Sequence, residues 1–276
     1  MKKAVIIFSD LDRSLLEAHT YSFDAAREAL DAIRKRELPL VLVSSKTRGE
    51  LLFWRSRLGT EAPFIAENGG GIFIPPEYFA DMGEWESEWD AGFQLITLGG
   101  RYPELRKALG ILKSRGFSVR GFGDMDVEEI GARTGLSVEQ SYLAARREFD
   151  EPFILESGDE TAVVKEIENL GFRHTKGEFH HLMGNSDKGK AVDILLELYR
   201  RKYGALISVG LGDSPNDVPM LEAVDIPVLV RLPDGKHHPE INLNNPHVVL
   251  SRGIGPEGWN EAVLDILARH LPSPEP

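Results

Sequence analysis

The most informative stretch of the sequence is AVIIFSDLDRSLL, residues 4–16. Residues 4–8 form an apolar run, which is typical of a strand that is buried in a parallel sheet. Asp10 and Asp12 follow directly. Because ligands bind beyond the carboxyl ends of the strands in an open parallel α/β sheet, this stretch predicts a buried strand that carries two carboxylates to the edge of a crevice.

A second stretch of the same kind lies far along the chain. Residues 205–221, ALISVGLGDSPNDVPML, join an apolar run to a glycine-containing turn that bears Asp213 and Asp217. If the two strands are neighbours, four carboxylates converge. Carboxylates that are packed together repel one another and take up protons unless a cation compensates them. Mg²⁺ prefers oxygen ligands and suits such a site, so we predict a metal-dependent enzyme.

Length and composition of the 276-residue chain narrow the classes of protein. The net charge of -12 disfavours a nucleic-acid partner, since phosphate binding needs basic surface. No stretch approaches the roughly 18 apolar residues of a membrane span, and no secretory signal is recognisable. Without cysteine, any metal is held by oxygen or imidazole. We expect a cytoplasmic enzyme that acts on a small molecule; the sequence leaves its oligomeric state open.

Strand and helix signals alternate at both ends of the chain, whereas the middle differs. We predict an α/β protein with a Rossmann-like parallel-sheet core, built from residues 1–99 and 186–276, and an inserted α+β cap domain at residues 100–185. Inserted domains beside a crevice often act as lids. The predicted core helices cover residues 22–36, 44–58 (with a capping box of Thr47 and Glu50), 188–201 and 258–270, and the core strands 4–8, 38–43, a pair within 63–75, 205–211, 226–232 and 247–250.

The predicted cap elements follow in one series. They are a helix at 102–115, a strand at 117–120, two short helices, a strand at 152–156, a helix at 160–170 and a hairpin at 172–183. The last residues, 272–276, are predicted to be disordered.

Four motifs carry a resemblance to a known superfamily. The DxD after the first strand, the serines 44 and 45 after the second, the lysine at 188 and the GDSPND string at 212–217 resemble the motifs of the haloacid dehalogenase superfamily. The place of the insert, between the second and third motifs, resembles the members that have a C2-type cap. The strings VSSKT, IAENGG, REFDEPF and HHLMG–DKGKAV resemble the mannosyl-3-phosphoglycerate phosphatase family.

The chemistry expected at this site is phosphoryl transfer through a carboxylate. A nucleophilic carboxylate divides the slow hydrolysis of a phosphate monoester into two easier transfers. Asp10 is the predicted nucleophile, and Asp12 is the predicted general acid and base. We expect Mg²⁺ to be held by Asp10, the backbone carbonyl of Asp12 and Asp213, and the resemblance adds Asp217, bound directly or through water.

Lys188 is predicted to lie in the first turn of a helix capped by Ser186. A cation in that turn opposes the helix dipole, so an exposed lysine would gain nothing there. A lysine that holds both phosphate and Asp10 explains its position. Ser44 and Ser45 lie where a strand meets a helix start and offer donors to phosphate. One of the two serines is expected only to begin the helix, and Ser45 is the favoured ligand.

Other candidates have a structural interpretation beside the functional one. Ser214 to Asp217 also form a good helix start, with a serine cap, a proline and an acid near the dipole. Glu67 and Asn68 either form a glycine turn or bind sugar hydroxyls. Arg13 replaces the glycine of the superfamily DxDGT motif, which indicates a turn that tolerates a side chain or a basic group near phosphate. The remaining substrate candidates are Lys46 and Arg147 for a glycerate carboxylate, and His180 and His181, of which one faces the crevice if they alternate along a strand.

Our leading hypothesis is a Mg²⁺-dependent phosphatase that converts mannosyl-3-phosphoglycerate to mannosylglycerate and phosphate. The glucosyl ester is a second substrate candidate. Within enzymes, the alternatives are another sugar-phosphate phosphatase and a phosphomannomutase, in which phosphate returns to a sugar. The alternative from a different class is a catalytically inactive binding module on the same fold, which only Arg13 supports.

Overall fold

The computed structural model describes residues 4–243 and 245–271. These residues build two sheets, one of nine strands and one of four. The predicted tail at 272–276 lies outside the described residues. The strands are β1 (Ala4–Ser9), β2 (Leu40–Val43), β3 (Phe64–Ala66), β4 (Gly71–Ile74), β5 (Glu88–Asp90), β6 (Phe93–Thr97), β7 (Ser118–Gly121), β8 (Asp150–Ser157), β9 (Arg173–Lys176), β10 (His180–Met183), β11 (Leu206–Gly212), β12 (Ile226–Arg231) and β13 (Val249–Ile254).

Helices connect most of the parallel strands and cover both sheets. No helix within 4–243 and 245–271 is long and apolar enough to cross a membrane. The helices are α1 (Arg27–Lys35), α2 (Arg48–Leu58), α3 (Tyr102–Ser114), α4 (Val127–Thr134), α5 (Val138–Ala144), α6 (Glu160–Asn169), α7 (Lys188–Tyr203), α8 (Val218–Ala223) and α9 (Gly255–His270).

The large sheet has the strand order β13-β12-β11-β1-β2-β3-β4-β6-β5. The strands from β13 to β3 are parallel, and β4, β6 and β5 extend the sheet in antiparallel pairs. Strand β1 is buried on both faces: Val5 and Ile7 pack into the apolar cluster that contains α9, and Ile6 and Phe8 into the cluster that contains α7. The predicted α/β class with a parallel-sheet core is confirmed.

The small sheet is antiparallel, in the order β7-β8-β10-β9. Helices α3 and α6 pack on it in a separate apolar cluster around Phe153. The chain passes from the large sheet to the small sheet near Gly100 and returns near Gly184. The two connecting segments are in close contact, since a Cβ atom added to Gly184 would lie 2.0 Å from the Gly100 nitrogen. Domain boundaries at 99/100 and 185/186 stay a prediction.

Several element ends differ from the predictions. Helix α2 begins at Arg48, although its capping box of Thr47 and Glu50 is confirmed. The prediction that Ser186 caps α7 was wrong, although the helix begins at residue 188 as predicted: the cap is Asp187, whose carboxylate accepts the backbone N–H of Lys190. Both residue types are good caps. Strand β13 and helix α9 also begin at different residues from those predicted, and the β5–β6 hairpin was missed.

Candidate active site

The carboxyl ends of β1 and β11 lie side by side. The two strands pair in parallel, with Ser9 opposite Leu211, and the backbone N–H of Asp10 donates to the Leu211 carbonyl at 2.9 Å. One oxygen from each of Asp10, Asp213 and Asp217 lies within 4.8 Å of the others, and all three residues are buried. The structure therefore brings the two acidic motifs into one cluster, which we call the acidic cluster.

Lys188 supplies a fully buried cation at this cluster. Its Nζ lies 2.7 Å from Asp10 Oδ1 and 2.5 Å from Asp217 Oδ1. Burial alone would lower the pKa of the ammonium group, but the two carboxylates raise it above its usual value, so the lysine is charged at neutral pH. The other oxygen of Asp217 accepts the backbone N–H groups of Asp213 and Ser214. Asp217 thus both holds its own turn and contacts the lysine.

One lysine does not balance three buried carboxylates. Burial, and then repulsion from Asp217, raise the pKa of Asp10 to about 7 despite the attraction of Lys188. Burial, and then repulsion from Asp217 and Asp10, raise the pKa of Asp213 well above its usual value. Asp213 Oδ2 is buried and has no hydrogen-bond partner among the described residues. This set of oxygen donors fits a hard divalent cation.

Asp12 lies at the mouth of the site, where it is about one-third exposed. Lys46 Nζ is 3.0 Å from its Oδ1 and 3.7 Å from Glu50 Oε1. Although burial opposes it, the attraction of Asp12 and Glu50 raises the pKa of Lys46. Asp12 and Lys46 both line the main cleft, while the carboxylate of Asp12 stands outside the acidic cluster.

Arg13 occupies a left-handed turn, with φ at +60°. Glycine adopts this conformation without a steric penalty, which accounts for the usual glycine at this motif position. The guanidinium Nε lies 3.4 Å from Asp213 Oδ2. The structure thus combines both interpretations of the substitution: the turn carries a side chain, and that side chain brings a positive charge to the acidic cluster.

The two serines after β2 have different surroundings. Ser44 is fully buried, and its Oγ accepts the backbone N–H of Lys46. Ser45 lines the cleft, and its carbonyl accepts a hydrogen bond from Arg147 at 2.8 Å. Ser45 is therefore the serine placed to meet a ligand, and its phosphate-binding role stays a prediction.

The cleft lies between the ends of the large-sheet strands and the small sheet. It encloses about 860 Å³ with its open mouth, a volume that suits a small-molecule site. His181 and Arg147 line it from the side of the small sheet. His180 turns away, since its ring stacks on Phe153 and its Nδ1 is 2.9 Å from His174 Nε2. Of the two histidines, only His181 meets the cleft.

Glu67 and Asn68 lie at the crossing between the sheets, not at the cleft wall. The buried carboxylate of Glu67 accepts the backbone N–H groups of Glu148 and Phe149, and burial raises its pKa to about 8. Asn68 donates to Asp150 at 2.8 Å. These contacts oppose the sugar-binding interpretation and assign both side chains to holding the crossing.

Asp150 is a site residue that the sequence analysis missed. It is fully buried at the start of β8, next to the crossing. One signal in the sequence could have identified it: Asp150 lies beside the apolar run of a predicted strand. An acidic residue that is buried in such a place almost always has a partner.

The fold, the acidic cluster and the buried Lys188 define a phosphatase of the haloacid dehalogenase (HAD) class. Among solved structures, a phosphatase of the HAD enzyme superfamily from Bacteroides thetaiotaomicron matches the fold with a TM-score of 0.65 at 17% identity, over 98% of this chain and 95% of that one. No family model matches the chain.

Relatives with much higher identity narrow the family. The chain is 45% identical over 271 residues to the glucosyl-3-phosphoglycerate/mannosyl-3-phosphoglycerate phosphatase of Methanococcoides burtonii, covering 96% of this chain and 98% of the relative. It is 41% identical to the protein of the same name from Persephonella marina, over 95% and 97%. It is 37% identical to the mannosyl-3-phosphoglycerate phosphatase of Pyrococcus horikoshii, over 80% and 88%. The chain belongs to the mannosyl-3-phosphoglycerate phosphatase family and is a phosphoric monoester hydrolase.

Proposed function

We propose that this enzyme hydrolyses mannosyl-3-phosphoglycerate to mannosylglycerate and phosphate, with Mg²⁺ as its cofactor. The observation that carries the proposal is the contact of the buried Lys188 with Asp10, beside Asp213 Oδ2, which accepts no hydrogen bond from the described residues. The chain neighbours Asp12 and Ser214 line the cleft. The names of the relatives supply the substrate class.

In the first step, an oxygen of Asp10 attacks phosphorus, and the bond from phosphorus to the glycerate oxygen breaks. The leaving oxygen takes a proton from Asp12, which lies at the mouth of the site and has room to reach it. Lys188, hydrogen-bonded to Asp10, orients the nucleophile and offers positive charge to the phosphoryl oxygens.

In the second step, Asp12 accepts a proton from water, and the water oxygen attacks the phosphorus of the aspartyl-phosphate. The bond from phosphorus to the Asp10 oxygen breaks, which releases phosphate, frees the Asp10 carboxylate and leaves Asp12 protonated for the next cycle. The same residue thus serves as acid and then as base. Lys46 Nζ lies 3.0 Å from Asp12 Oδ1, a contact that holds the Asp12 side chain at the mouth of the site.

The acidic cluster would hold Mg²⁺ through Asp10 and Asp213, with Asp217 fixed by Lys188 and by backbone N–H groups. When bound, Mg²⁺ reduces the repulsion between the nucleophilic carboxylate and the phosphate dianion. The cluster also needs this charge, because burial and repulsion raise the pKa of Asp10 to about 7 and raise that of Asp213 as well.

Lys46 and Arg147 are proposed to bind the glycerate carboxylate. Both are buried at the cleft wall, and Arg147 Nε is buried without a hydrogen-bond partner in the described part of the chain. A buried unpaired donor is costly unless a ligand satisfies it. The glucosyl ester is a second candidate substrate, because the two relatives at 45% and 41% identity carry both substrates in their names.

Phosphate release from both glycosyl esters, with Mg²⁺ or with a chelator, tests the proposal. We expect release that requires Mg²⁺ and falls at least a thousandfold in Lys188→Met. Lys190→Met is the matched control, because this lysine lies on the same helix and its ammonium group contacts Asn185 and Asp187 at the surface. Metal-independent release would contradict the mechanism. A phosphomannomutase would instead return phosphate to a sugar, with no accumulation of free phosphate.

A further inference from the structure

We propose that Asp150 is a positioning residue that fixes His181 so that its Nε2 contacts the glycosyl-glycerate part of the substrate. The inference rests on the proposed function, because it assigns a role in recognising that substrate. It also gives a function to a buried carboxylate that the phosphoryl-transfer steps do not use.

The contact between the two side chains is close and buried. His181 Nδ1 lies 2.8 Å and 3.0 Å from the two oxygens of Asp150. Asp150 is fully buried and His181 is 4% exposed. Although burial would raise it, the pKa of Asp150 is lowered, chiefly by the neighbouring histidine. The carboxylate is therefore ionised and accepts the N–H of Nδ1, which leaves Nε2 as the imidazole nitrogen available to the cleft.

A second layer of hydrogen bonds holds Asp150 in turn. Asn68 Nδ2 donates to Asp150 Oδ2 at 2.8 Å, and Asn68 Oδ1 accepts from Asn216 Nδ2 at 3.1 Å. Asn216 belongs to the same turn as Asp217. A continuous chain of buried side chains therefore runs from the acidic cluster to the cleft histidine. It also explains why an asparagine, which tolerates left-handed backbone, occupies φ +56° at position 68.

Stability alone is a poor explanation for this arrangement. A buried carboxylate and its polar partner are often no more stable than apolar side chains of the same volume, because both groups lose hydration. His181 lines the cleft, where a directed nitrogen has a use. Carboxylates that orient a histidine through one ring nitrogen are a recurrent way to fix the other.

The position of His181 separates its role from that of the phosphoryl-transfer residues. Asp10 and Asp213 follow strands β1 and β11 of the large sheet, Lys188 begins helix α7, and all three are proposed to meet the phosphate. His181 lies on β10 of the small sheet, so it meets the part of the substrate that does not react. A small aryl phosphate, which lacks the sugar and the glycerate, should not need it.

Steady-state kinetics on two substrates tests the proposal. For mannosyl-3-phosphoglycerate, we expect Asp150→Asn and His181→Gln to raise KM about tenfold, the loss of about one hydrogen bond to substrate. Hydrolysis of p-nitrophenyl phosphate should stay within about twofold in both variants. His180→Gln is the matched control, since this neighbour faces away from the cleft, and it should change neither reaction.

A readout of the imidazole itself separates positioning from general stabilisation. Nitrogen NMR of the wild type should show the ring proton of His181 on Nδ1. In Asp150→Asn, the distribution of this proton between Nδ1 and Nε2 should change. Adding Asp150→Asn to His181→Gln should cause no further rise in KM. If Asp150→Asn folds poorly, Asn68→Gly, which suits the left-handed backbone, should raise KM in the same direction.

Two results would overturn the proposal: an unchanged KM in His181→Gln, or an equal loss of both activities in a folded Asp150→Asn. Failure of the proposed function looks different. In that case, the wild type would hydrolyse p-nitrophenyl phosphate with Mg²⁺ but release no phosphate from either glycosyl ester. The NMR comparison would then still decide whether Asp150 sets the proton position on His181, and an unshifted proton distribution would refute it.

Discussion

Arg13 Nε lies 3.4 Å from Asp213 Oδ2, the buried oxygen that lacks a hydrogen-bond partner in the described residues. The guanidinium is about one-third exposed and reaches Asp213 from the cleft side. A divalent cation at the acidic cluster would draw on the same carboxylate. Arg13 therefore compensates part of the negative charge of the cluster and competes with the cation for it.

We predict that Arg13→Gly binds Mg²⁺ about two- to fivefold more tightly than the wild type, because a partly exposed ion pair contributes about 0.5–1 kcal/mol. Isothermal titration calorimetry measures this directly. Arg13→Ala should show the same gain in affinity, but only glycine also relieves the left-handed backbone at φ +60°. Weaker binding in both variants would show that the guanidinium supports the metal site.

Asp213→Asn should remove the stabilisation that Mg²⁺ gives to the folded protein. For the wild type, a cation at a hundred times its Kd raises the free energy of unfolding by about 2.7 kcal/mol. The variant should show almost none of this increase, yet its metal-free form should be the more stable at pH 8, because a repelling charge is gone. Thermal unfolding with and without Mg²⁺ measures both effects. Asp234→Asn, in an exposed turn, is the control.

The affinity for Mg²⁺ should fall as pH decreases from 8 to 6. Burial raises the pKa of Asp10 to about 7 without metal, so protons and the cation compete over this interval. The sign for the metal-free protein is opposite: the folded state binds more protons than the unfolded state, so this group stabilises the fold increasingly as pH falls from about 7 toward 4. Calorimetry in buffers of different ionisation enthalpy should detect proton release, and its absence at pH 7 would refute the prediction.

Glu67→Ala should lower the free energy of unfolding by about 3 kcal/mol, since it leaves the buried backbone N–H groups of Glu148 and Phe149 without an acceptor. Urea denaturation measures this loss. Glu61→Ala, an exposed residue in the same region, should change stability by less than about 0.5 kcal/mol. If Glu67→Ala also lowered the free energy of unfolding by less than about 0.5 kcal/mol, the crossing between the sheets would not depend on this carboxylate.

The parts of the site that the sequence revealed are local in the chain. An apolar strand followed by an acid is visible without any partner, and this signal places Asp10 and Asp213 each at the end of a strand. The pairing of β1 with β11 comes from the structure. The cap of α7 was misplaced by one residue because Ser186 and Asp187 are both good caps. The β5–β6 hairpin was missed because its edge strand is short and exposed, with Trp89 65% exposed.

The parts that the sequence did not reveal depend on distant partners. The Glu67 carboxylate accepts backbone N–H groups of Glu148 and Phe149, which lie about eighty residues further along the chain. The sequence around Glu67 does not show these partners, so its glycine-rich string is equally compatible with a turn and with a ligand-binding loop. Asp150 gains its role from His181 and Asn68. The left-handed conformation of Arg13 follows from the same kind of tertiary constraint.

The central claim is that Asp10 becomes phosphorylated at this cluster. The direct measurement is mass spectrometry of the peptide that contains residues 4–16, from protein that was incubated with mannosyl-3-phosphoglycerate and Mg²⁺ and quenched with acid. The proteins compared are the wild type and Asp12→Asn, which lacks the acid of the first step and the base of the second. We predict a phosphoryl group on Asp10 that disappears with chelator. Two results together would contradict the account. The wild type would release phosphate rapidly with no phosphoryl group on Asp10, and Asp10→Asn would retain activity.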